Sequence, residues 1–159
     1  MKIRVGFGFD VHRIEEGKKF YLGGILIPHT KGAVGHSDAD VLVHTICDAL
    51  LGAANLRDIG YHFPPSDEKY KAIDSKLLLI QVVALLKEKG YKVSNIDSTI
   101  ALEKPKINPH IPKMKKTLAE CMQIEEDAIS IKATTTEKLS FVGREEGVSA
   151  YATVLIYQD

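Results

Sequence analysis

The sequence is poor in cysteine and has no excess of charge of either sign. Its only two cysteines, Cys47 and Cys121, are far apart and form no CxxC pattern. Because the N-terminus also does not resemble a signal peptide, we expect reduced thiols and a cytoplasmic protein. The 21 basic residues balance the 21 acidic ones, whereas a nucleic-acid scaffold usually has a basic excess. The longest apolar run is too short to span a bilayer, so we expect neither nucleic acid nor a membrane as partner.

The composition is that of a soluble protein. With 159 residues, of which 45% are hydrophobic and 26% charged, residues 1–159 are expected to form a single domain. Helical and alternating patterns succeed each other along the chain, which indicates an α/β (α+β) fold with βαβ character of the ferredoxin-like type. We predict a mixed β-sheet covered on one face by helices, with strands at 2–9, 91–103, 128–136 and 148–158, a hairpin at Gly23-Gly24, helices at 38–54, 75–89 and 111–122, and a long loop at 56–73.

The stretch GFGFDVHRI carries the first chemical signal. Apolar residues alternate there with Gly6, Gly8, Asp10 and His12, the period of a half-buried strand. Side chains at i and i+2 point to one face of a strand, with Cα atoms roughly 6.5–7 Å apart. Asp10 and His12 could therefore share a metal ion or an ordinary hydrogen bond, and a third partner is needed to decide.

The first predicted helix offers that partner. Asp40, His44 and Asp48 are spaced i, i+4, i+8 and fall on one stripe beside the apolar face. Asp10, His12 and His44 together would form a zinc site with three protein ligands and one open position, as in catalytic zinc centres. Asp48 could then bind a ligating imidazole and fix its tautomer. The alternative stays open, since a helix histidine is more often a packed, hydrogen-bonded residue, and D-x-H is a weak pattern alone.

Two further clusters are polar. In GHSDAD, His36 and Ser37 precede the predicted helix, with Ser37 and Asp40 arranged like a capping box, and helix N-termini favour anions. In KATTTEK, hydroxyl groups and lysines could hold phosphate oxygens, and Glu137 could hold Mg²⁺. The alternative for this second cluster is a threonine-rich β-edge.

Five stretches, occurring in this order over nearly the whole chain, resemble one enzyme family: FDVHRI, GHSDADVLVHTICDALLGAA, DIGYHFPPSD, PKINPHIP and KATTTEKLSFVGREEG. This is the 2-C-methyl-D-erythritol 2,4-cyclodiphosphate synthase family of the non-mevalonate isoprenoid pathway. The resemblance implies a phosphorus–oxygen lyase that converts 4-diphosphocytidyl-2-C-methyl-D-erythritol 2-phosphate to the cyclodiphosphate and CMP by metal-assisted intramolecular phosphoryl transfer.

The same resemblance implies a role for individual residues and an assembly. Zn²⁺ would be held by Asp10, His12 and His44, while Mg²⁺ or Mn²⁺ would lie near Glu137. His36 and Thr135 would orient phosphates. The assembly would be a homotrimer with active sites at subunit interfaces, and an isoprenoid diphosphate could lie on its axis. The substrate-binding residues implied are Ser37, Asp58, Ile59, Gly60, Phe63, Pro64, Pro65, Ser66 and Asp67, together with Leu102, Glu103, Lys104, Pro105, Lys106, Ile107, Asn108, Thr134, Thr136, Phe141 and Arg144. Asp58–Gly60 and Phe63–Asp67 would belong to a loop that holds the methylerythritol part. Leu102–Asn108 of the neighbouring subunit would form the pocket for the cytidine nucleotide.

Three questions stay open at this point. Arg144 could contact substrate, or it could pair with Glu146 near the three-fold axis. A zinc phosphodiesterase would use water and release linear products. A non-catalytic trimer would bind a nucleotide or an isoprenoid diphosphate without turning it over.

Overall fold

Two long antiparallel strands form the centre of the protein. The computed structural model describes residues 1–159. Strand β1 (Lys2–Glu16) pairs with β7 (Gly147–Gln158), in a register that runs from Lys2 opposite Gln158 to Arg13 opposite Gly147. The first and last strands of the chain are thus neighbours, and β1 carries two residues of the site described below, Asp10 and His12.

Three further strands complete a mixed sheet of order β4-β1-β7-β5-β6, and two short strands form a separate hairpin. Strand β4 (Lys31–Val34) lies against β1, and β5 (Lys92–Ala101) lies against β7 on the other side. Strand β6 (Ile129–Thr134) runs parallel to β5 at the edge, and α4 (Ile111–Met122) connects the two. The mixed sheet is confirmed, and its βαβ character is confined to β5-α4-β6.

The helices cover one face of this sheet, as predicted. Helix α1 (Val41–Ala53) packs across β1 and β7, and α3 (Ser75–Glu88) packs against α1 and α4. Helices α2 (Ile59–His62) and α5 (Ser140–Gly143) are one turn each. The buried residues of the sheet and helices form one continuous hydrophobic core. None of the helices is long and apolar enough to cross a membrane.

Strand β1 is longer than predicted, and its apolar side chains are the exposed ones. Phe7 and Phe9 are exposed, whereas Gly6 and Gly8 are buried under α1. A Cβ atom on Gly8 would lie 2.1 Å from the carbonyl oxygen of Thr45. The strand therefore uses glycine on its covered face because the helix backbone lies directly on it, and this close approach brings α1 over Asp10 and His12.

The start of α1 also differs from the prediction. Asp40, not Ser37, is the N-cap residue, and its Oδ1 accepts a hydrogen bond from the amide of Val43 at 3.0 Å. The same carboxylate accepts the amides of Gly23 and Gly24, at 2.9 and 2.7 Å, in the predicted hairpin between β2 (Phe20–Leu22) and β3 (Ile25–Ile27). An anionic side chain thus already caps this helix terminus, and His36 and Ser37, which precede it in the chain, line the cavity described below.

Candidate active site

Three candidate metal ligands meet between β1 and α1. Asp10 Oδ2 lies 3.0 Å from His12 Nε2 and 3.2 Å from His44 Nδ1. The two imidazole nitrogens are 3.1 Å apart. These nearly equal separations place three donor atoms at the corners of a triangle, which is the arrangement that the D-x-H motif and the helix histidine predict.

The second nitrogen of each histidine has its own partner. His12 Nδ1 lies 3.2 Å from the carbonyl oxygen of Val34 and donates to it, so in the neutral ring the Nε2 lone pair is free. His44 Nε2 lies 2.9 Å from Ser75 Oγ and 3.0 Å from Ser37 Oγ. Ser75 Oγ donates its own hydrogen to Asp38 Oδ1 at 2.5 Å, so it accepts from His44. Both rings therefore turn their other nitrogen toward Asp10, and in a metal-bound state these would be the unprotonated, ligating nitrogens.

The predicted role of Asp48 is wrong. Its Oδ1 accepts the amide of Ile59 at 2.9 Å, which anchors α2 to α1. The stripe on α1 correctly points to His44, but the ring is held from the side of α3, by Ser75. Sequence spacing on one helix could not reveal this, because Ser75 and Asp38 lie 31 and 6 residues away from His44 along the chain and meet it only through tertiary packing.

The electrostatics of the cluster favour an anionic ligand. Burial alone would raise the pKa of Asp10, but hydrogen bonds from His12 and His44, together with their charges, hold that pKa well below its ordinary value. Burial lowers the pKa of His12, but the neighbouring Asp10 carboxylate outweighs it and the pKa is raised. Asp10 is therefore a carboxylate at neutral pH, as a metal ligand must be.

A cavity of about 230 Å³ opens beside the three ligands. It is partly apolar, and several of its residues come from the predicted methylerythritol loop. The loop is not free of regular structure, since it contains α2 and a 3₁₀ turn at Glu68–Tyr70. The predicted residues that line the cavity are His12, His36, Ser37, His44, Ile59, Gly60, Phe63 and Pro65, and the sequence analysis missed Tyr70, Ile73 and Leu78.

The other predicted residues of this loop do not line the cavity. Asp58 is the N-cap of α2 and accepts the amide of Tyr61 at 3.2 Å. Asp67 accepts the amide of Lys69 at 3.1 Å and forms an ion pair with its side chain. Pro64 and Ser66 lie between them in the chain and outside the cavity lining. In this structure the two aspartates hold the loop's own turns.

A second, smaller cavity of about 100 Å³ lies where β5 and β6 end. Because these strands are parallel, their carboxyl ends meet at one edge, where α/β sheets commonly bind ligands. The structure brings together two segments that the sequence analysis assigned to nucleotide and phosphate; the cavity is lined by Leu102, Pro105, Lys106, Ile107, Asn108, Ala133, Thr134 and Thr135.

The remaining predicted residues surround this second region. Glu103 accepts backbone amides of the threonine segment, and Lys104 pairs with Glu145 at 3.2 Å. Glu137 is exposed and does not belong to a second cluster of candidate ligands. Arg144 donates to both carboxylate oxygens of Glu146, at 2.9 and 3.1 Å, so within one chain it is paired. Thr136 Oγ1 donates to the Leu139 carbonyl at 2.7 Å, and Phe141 is partly exposed.

Comparison with known proteins gives full-length matches. A family model described as the YgbB family matches residues 3–157. A 2-C-methyl-D-erythritol 2,4-cyclodiphosphate synthase of Parabacteroides distasonis is 67% identical over 156 residues, which cover 98% of this chain and 97% of that protein.

Solved structures agree with the sequence matches. The bifunctional IspDF of Campylobacter jejuni has a TM-score of 0.96 and 40% identity; the match covers 99% of this chain and 43% of that longer chain. IspF of Plasmodium falciparum, in a CDP complex, has a TM-score of 0.87 and 32% identity, with 99% of this chain and 97% of that chain covered. The chain therefore belongs to the YgbB family, which here includes the 2-C-methyl-D-erythritol 2,4-cyclodiphosphate synthases that its sequence motifs resemble.

Proposed function

We propose that this protein converts 4-diphosphocytidyl-2-C-methyl-D-erythritol 2-phosphate to 2-C-methyl-D-erythritol 2,4-cyclodiphosphate and CMP in isoprenoid biosynthesis. The observation that carries the proposal is the triangle of Asp10, His12 and His44 beside a cavity, in a chain whose full-length relatives are named 2-C-methyl-D-erythritol 2,4-cyclodiphosphate synthases. CDP in the complex of a structural relative supports a cytidylyl substrate here.

The three ligands fit a tetrahedral zinc ion. With bonds of roughly 2.0–2.1 Å, the donor atoms of a tetrahedral site lie about 3.3 Å apart, and here they are separated by 3.0, 3.1 and 3.2 Å. One carboxylate and two neutral imidazoles suit zinc, and three protein ligands leave a position open toward the cavity. We assign the first metal as Zn²⁺ on this basis.

The second metal is assigned to Glu137. This carboxylate is exposed and stands alone, which suits Mg²⁺ or Mn²⁺, since Mg²⁺ commonly takes one or two carboxylates and fills its sphere with water and substrate phosphate. When bound, metal ions at these two places would supply Lewis-acid stabilisation of the charge on the phosphoryl oxygens.

The chain's own residues would fold and orient the substrate. An oxygen of the 2-phosphate attacks the β-phosphorus, and the bond from that phosphorus to the oxygen of the departing CMP breaks. His36, at the rim of the first cavity, and Thr135, in the second, would orient the phosphates. Because the nucleophile is already an anion, no general base is required. Bringing the two ends of one substrate together is a proximity effect worth several kcal/mol of the barrier, roughly 7–11 at most.

We also propose that the protein is a homotrimer with its active sites at subunit interfaces. The two cavities of one chain share no lining residue, so the segment Leu102–Asn108 of a neighbouring subunit would complete the site around the metal ligands. The uncovered face of β1, which carries an apolar row, gives such an assembly a surface to bury. The isoprenoid diphosphate on the trimer axis stays a prediction from the resemblance.

The test is ³¹P NMR of the protein with zinc, magnesium and the cytidylyl substrate. Two coupled resonances of a cyclic diphosphate, appearing together with CMP, are the expected result. Linear phosphate products would instead identify a hydrolase, and saturable binding without turnover would identify a non-catalytic binding protein. Either of these outcomes would overturn the proposal.

A separate substitution tests the assignment of the zinc ligands. His44→Ala removes one corner of the triangle, so it is expected to abolish zinc binding and most turnover, whereas His29→Ala, at a partly buried histidine away from the site, retains both. Zinc content of the purified proteins and the rate of CMP release are the measurements. Full activity in a zinc-free His44→Ala protein would disprove the assignment.

A further inference from the structure

The segment Thr135–Lys138 has a backbone that its own residues do not favour. Glu137 and Lys138 both have positive φ angles, 53° and 62°, and Ser140 follows with 61°. Such conformations cost free energy in residues other than glycine and persist only when surrounding contacts enforce them. Two internal bonds help: the Glu137 amide donates to Thr135 Oγ1 at 3.3 Å, and Thr136 Oγ1 donates to Leu139.

One side chain from outside the segment reaches both ends of this turn. Glu103 Oε1 accepts the amide of Thr136 at 3.2 Å and the amide of Lys138 at 3.0 Å. These two residues flank Glu137, the proposed ligand of the second metal. Glu103 is half-buried, so its bonds are partly shielded from water. A carboxylate that accepts two backbone amides forms charge-assisted hydrogen bonds, which are stronger than neutral ones.

The position of Glu103 links this turn to the second cavity. It follows directly after Leu102, whose amide bonds the carbonyl of Thr134 at 2.9 Å and so continues the β5-β6 pairing beyond the strands. The cavity is lined from both loops, by Leu102 and Pro105–Asn108 on one side and Ala133–Thr135 on the other. A single carboxylate therefore fastens the loop after β5 to the loop after β6.

We infer that Glu103 is a positioning residue: its carboxylate holds the Thr135–Lys138 turn against the loop after β5, so that the nucleotide pocket and the Glu137 carboxylate form one preorganised unit. This deepens the proposed function and rests on it, since Glu137 is there assigned to the second metal. Glu103 itself contacts no reacting atom and acts through Thr136 and Lys138.

Four variants test separately whether Glu103 holds the turn and whether Glu137 binds the second metal. Glu103→Ala removes the acceptor, and Glu103→Gln keeps an amide oxygen of the same reach. Glu137→Gln tests the metal assignment, and Glu120→Ala, on the exposed side of α4, is the matched control. The first readout is amide hydrogen exchange of residues 135–139 without metal or nucleotide. The second is calorimetric binding of Mn²⁺ in the presence of CDP, with zinc content measured in every variant.

For Glu103→Ala we expect faster exchange at Thr136 and Lys138 and Mn²⁺ binding weakened about tenfold, as is typical for loss of an outer partner of a metal ligand, with zinc content unchanged. Glu103→Gln should restore most of the protection from exchange and most of the Mn²⁺ affinity. If Glu103→Ala exchanges and binds Mn²⁺ like the unaltered protein, the inference is wrong. If Glu137→Gln leaves Mn²⁺ binding intact, the metal assignment fails instead, and the exchange measurement still decides whether Glu103 holds the turn.

Discussion

His44 shows how a single residue acquires its chemical state. Its Nδ1 faces Asp10 and His12, and its Nε2 faces Ser75, whose hydroxyl hydrogen is committed to Asp38. In the neutral ring these contacts on the Nε2 side place the hydrogen on Nε2, which leaves the Nδ1 lone pair for a metal ion. A ring fixed in this way loses little rotational freedom when a metal binds, so the network is expected to raise metal affinity.

Ser75→Ala tests this network. The substitution leaves the Ser75 backbone amide bonded to Asp38 Oδ2 but removes the hydroxyl that orients His44. We expect zinc affinity to fall about tenfold, near the lower limit for such partners, because Ser37 Oγ still lies 3.0 Å from the ring. Competition with a fluorescent chelator measures the affinity. Ser94→Ala, at an exposed serine of β5, is the control and should bind zinc normally; an equal affinity in Ser75→Ala would refute the role.

At the scale of elements, the contact between α1 and β1 decides whether the triad forms. The helix lies so close to the strand that Cβ atoms on Gly6 and Gly8 would fall 1.9 and 2.1 Å from carbonyl oxygens of Ala49 and Thr45. Thr45 directly follows His44. The height of the helix above the sheet therefore fixes how far His44 Nδ1 lies from the two strand ligands.

Gly8→Ala is expected to lift α1 away from β1 and separate His44 from Asp10 and His12. Overpacking of this kind typically costs about 1–3 kcal/mol, and here the clash is with rigid backbone. We expect a lower thermal midpoint and zinc affinity reduced at least tenfold. Gly52→Ala provides the contrast, because a Cβ at this position of α1 meets nothing within 4 Å; it should retain zinc and gain helix stability. Zinc binding unchanged in Gly8→Ala would contradict the dependence on helix height.

At the scale of the whole molecule, one face of the sheet is left uncovered, and it exposes apolar side chains to solvent. Val5, Phe7, Phe9 and Val11 are 64, 65, 48 and 42% exposed and form one continuous row along β1. Phe9 also packs against Tyr151 of β7, with ring centroids 5.2 Å apart. Such a contiguous apolar surface marks an interaction site in a protein that otherwise buries its core, and copies of this chain are its proposed partners.

Phe7→Glu tests the assembly by placing a charge in the middle of this row. Burying an unpaired carboxylate is costly, so the variant should elute and scatter as a monomer, whereas the unaltered protein is expected to have three times the chain mass. Because the proposed site draws on two subunits, CMP release should be lost together with the trimer. Leu26→Glu, at an exposed position of β3 outside this face, should remain trimeric and active. A monomeric unaltered protein would exclude the trimer.

The family, the mixed sheet with its helices on one face, and the Asp10–His12–His44 cluster could all be predicted from the amino-acid sequence. These followed from local signals: period-two and helical patterns, glycine and proline punctuation, and motifs long enough to be specific. Tertiary structure decided what depends on residues distant in sequence. It placed Asp40 rather than Ser37 at the terminus of α1, gave Ser75 the role expected of Asp48, and left the apolar row of β1 exposed. Each of these outcomes depends on how closely two elements distant in the chain pack against each other. A pattern along the sequence does not contain that information.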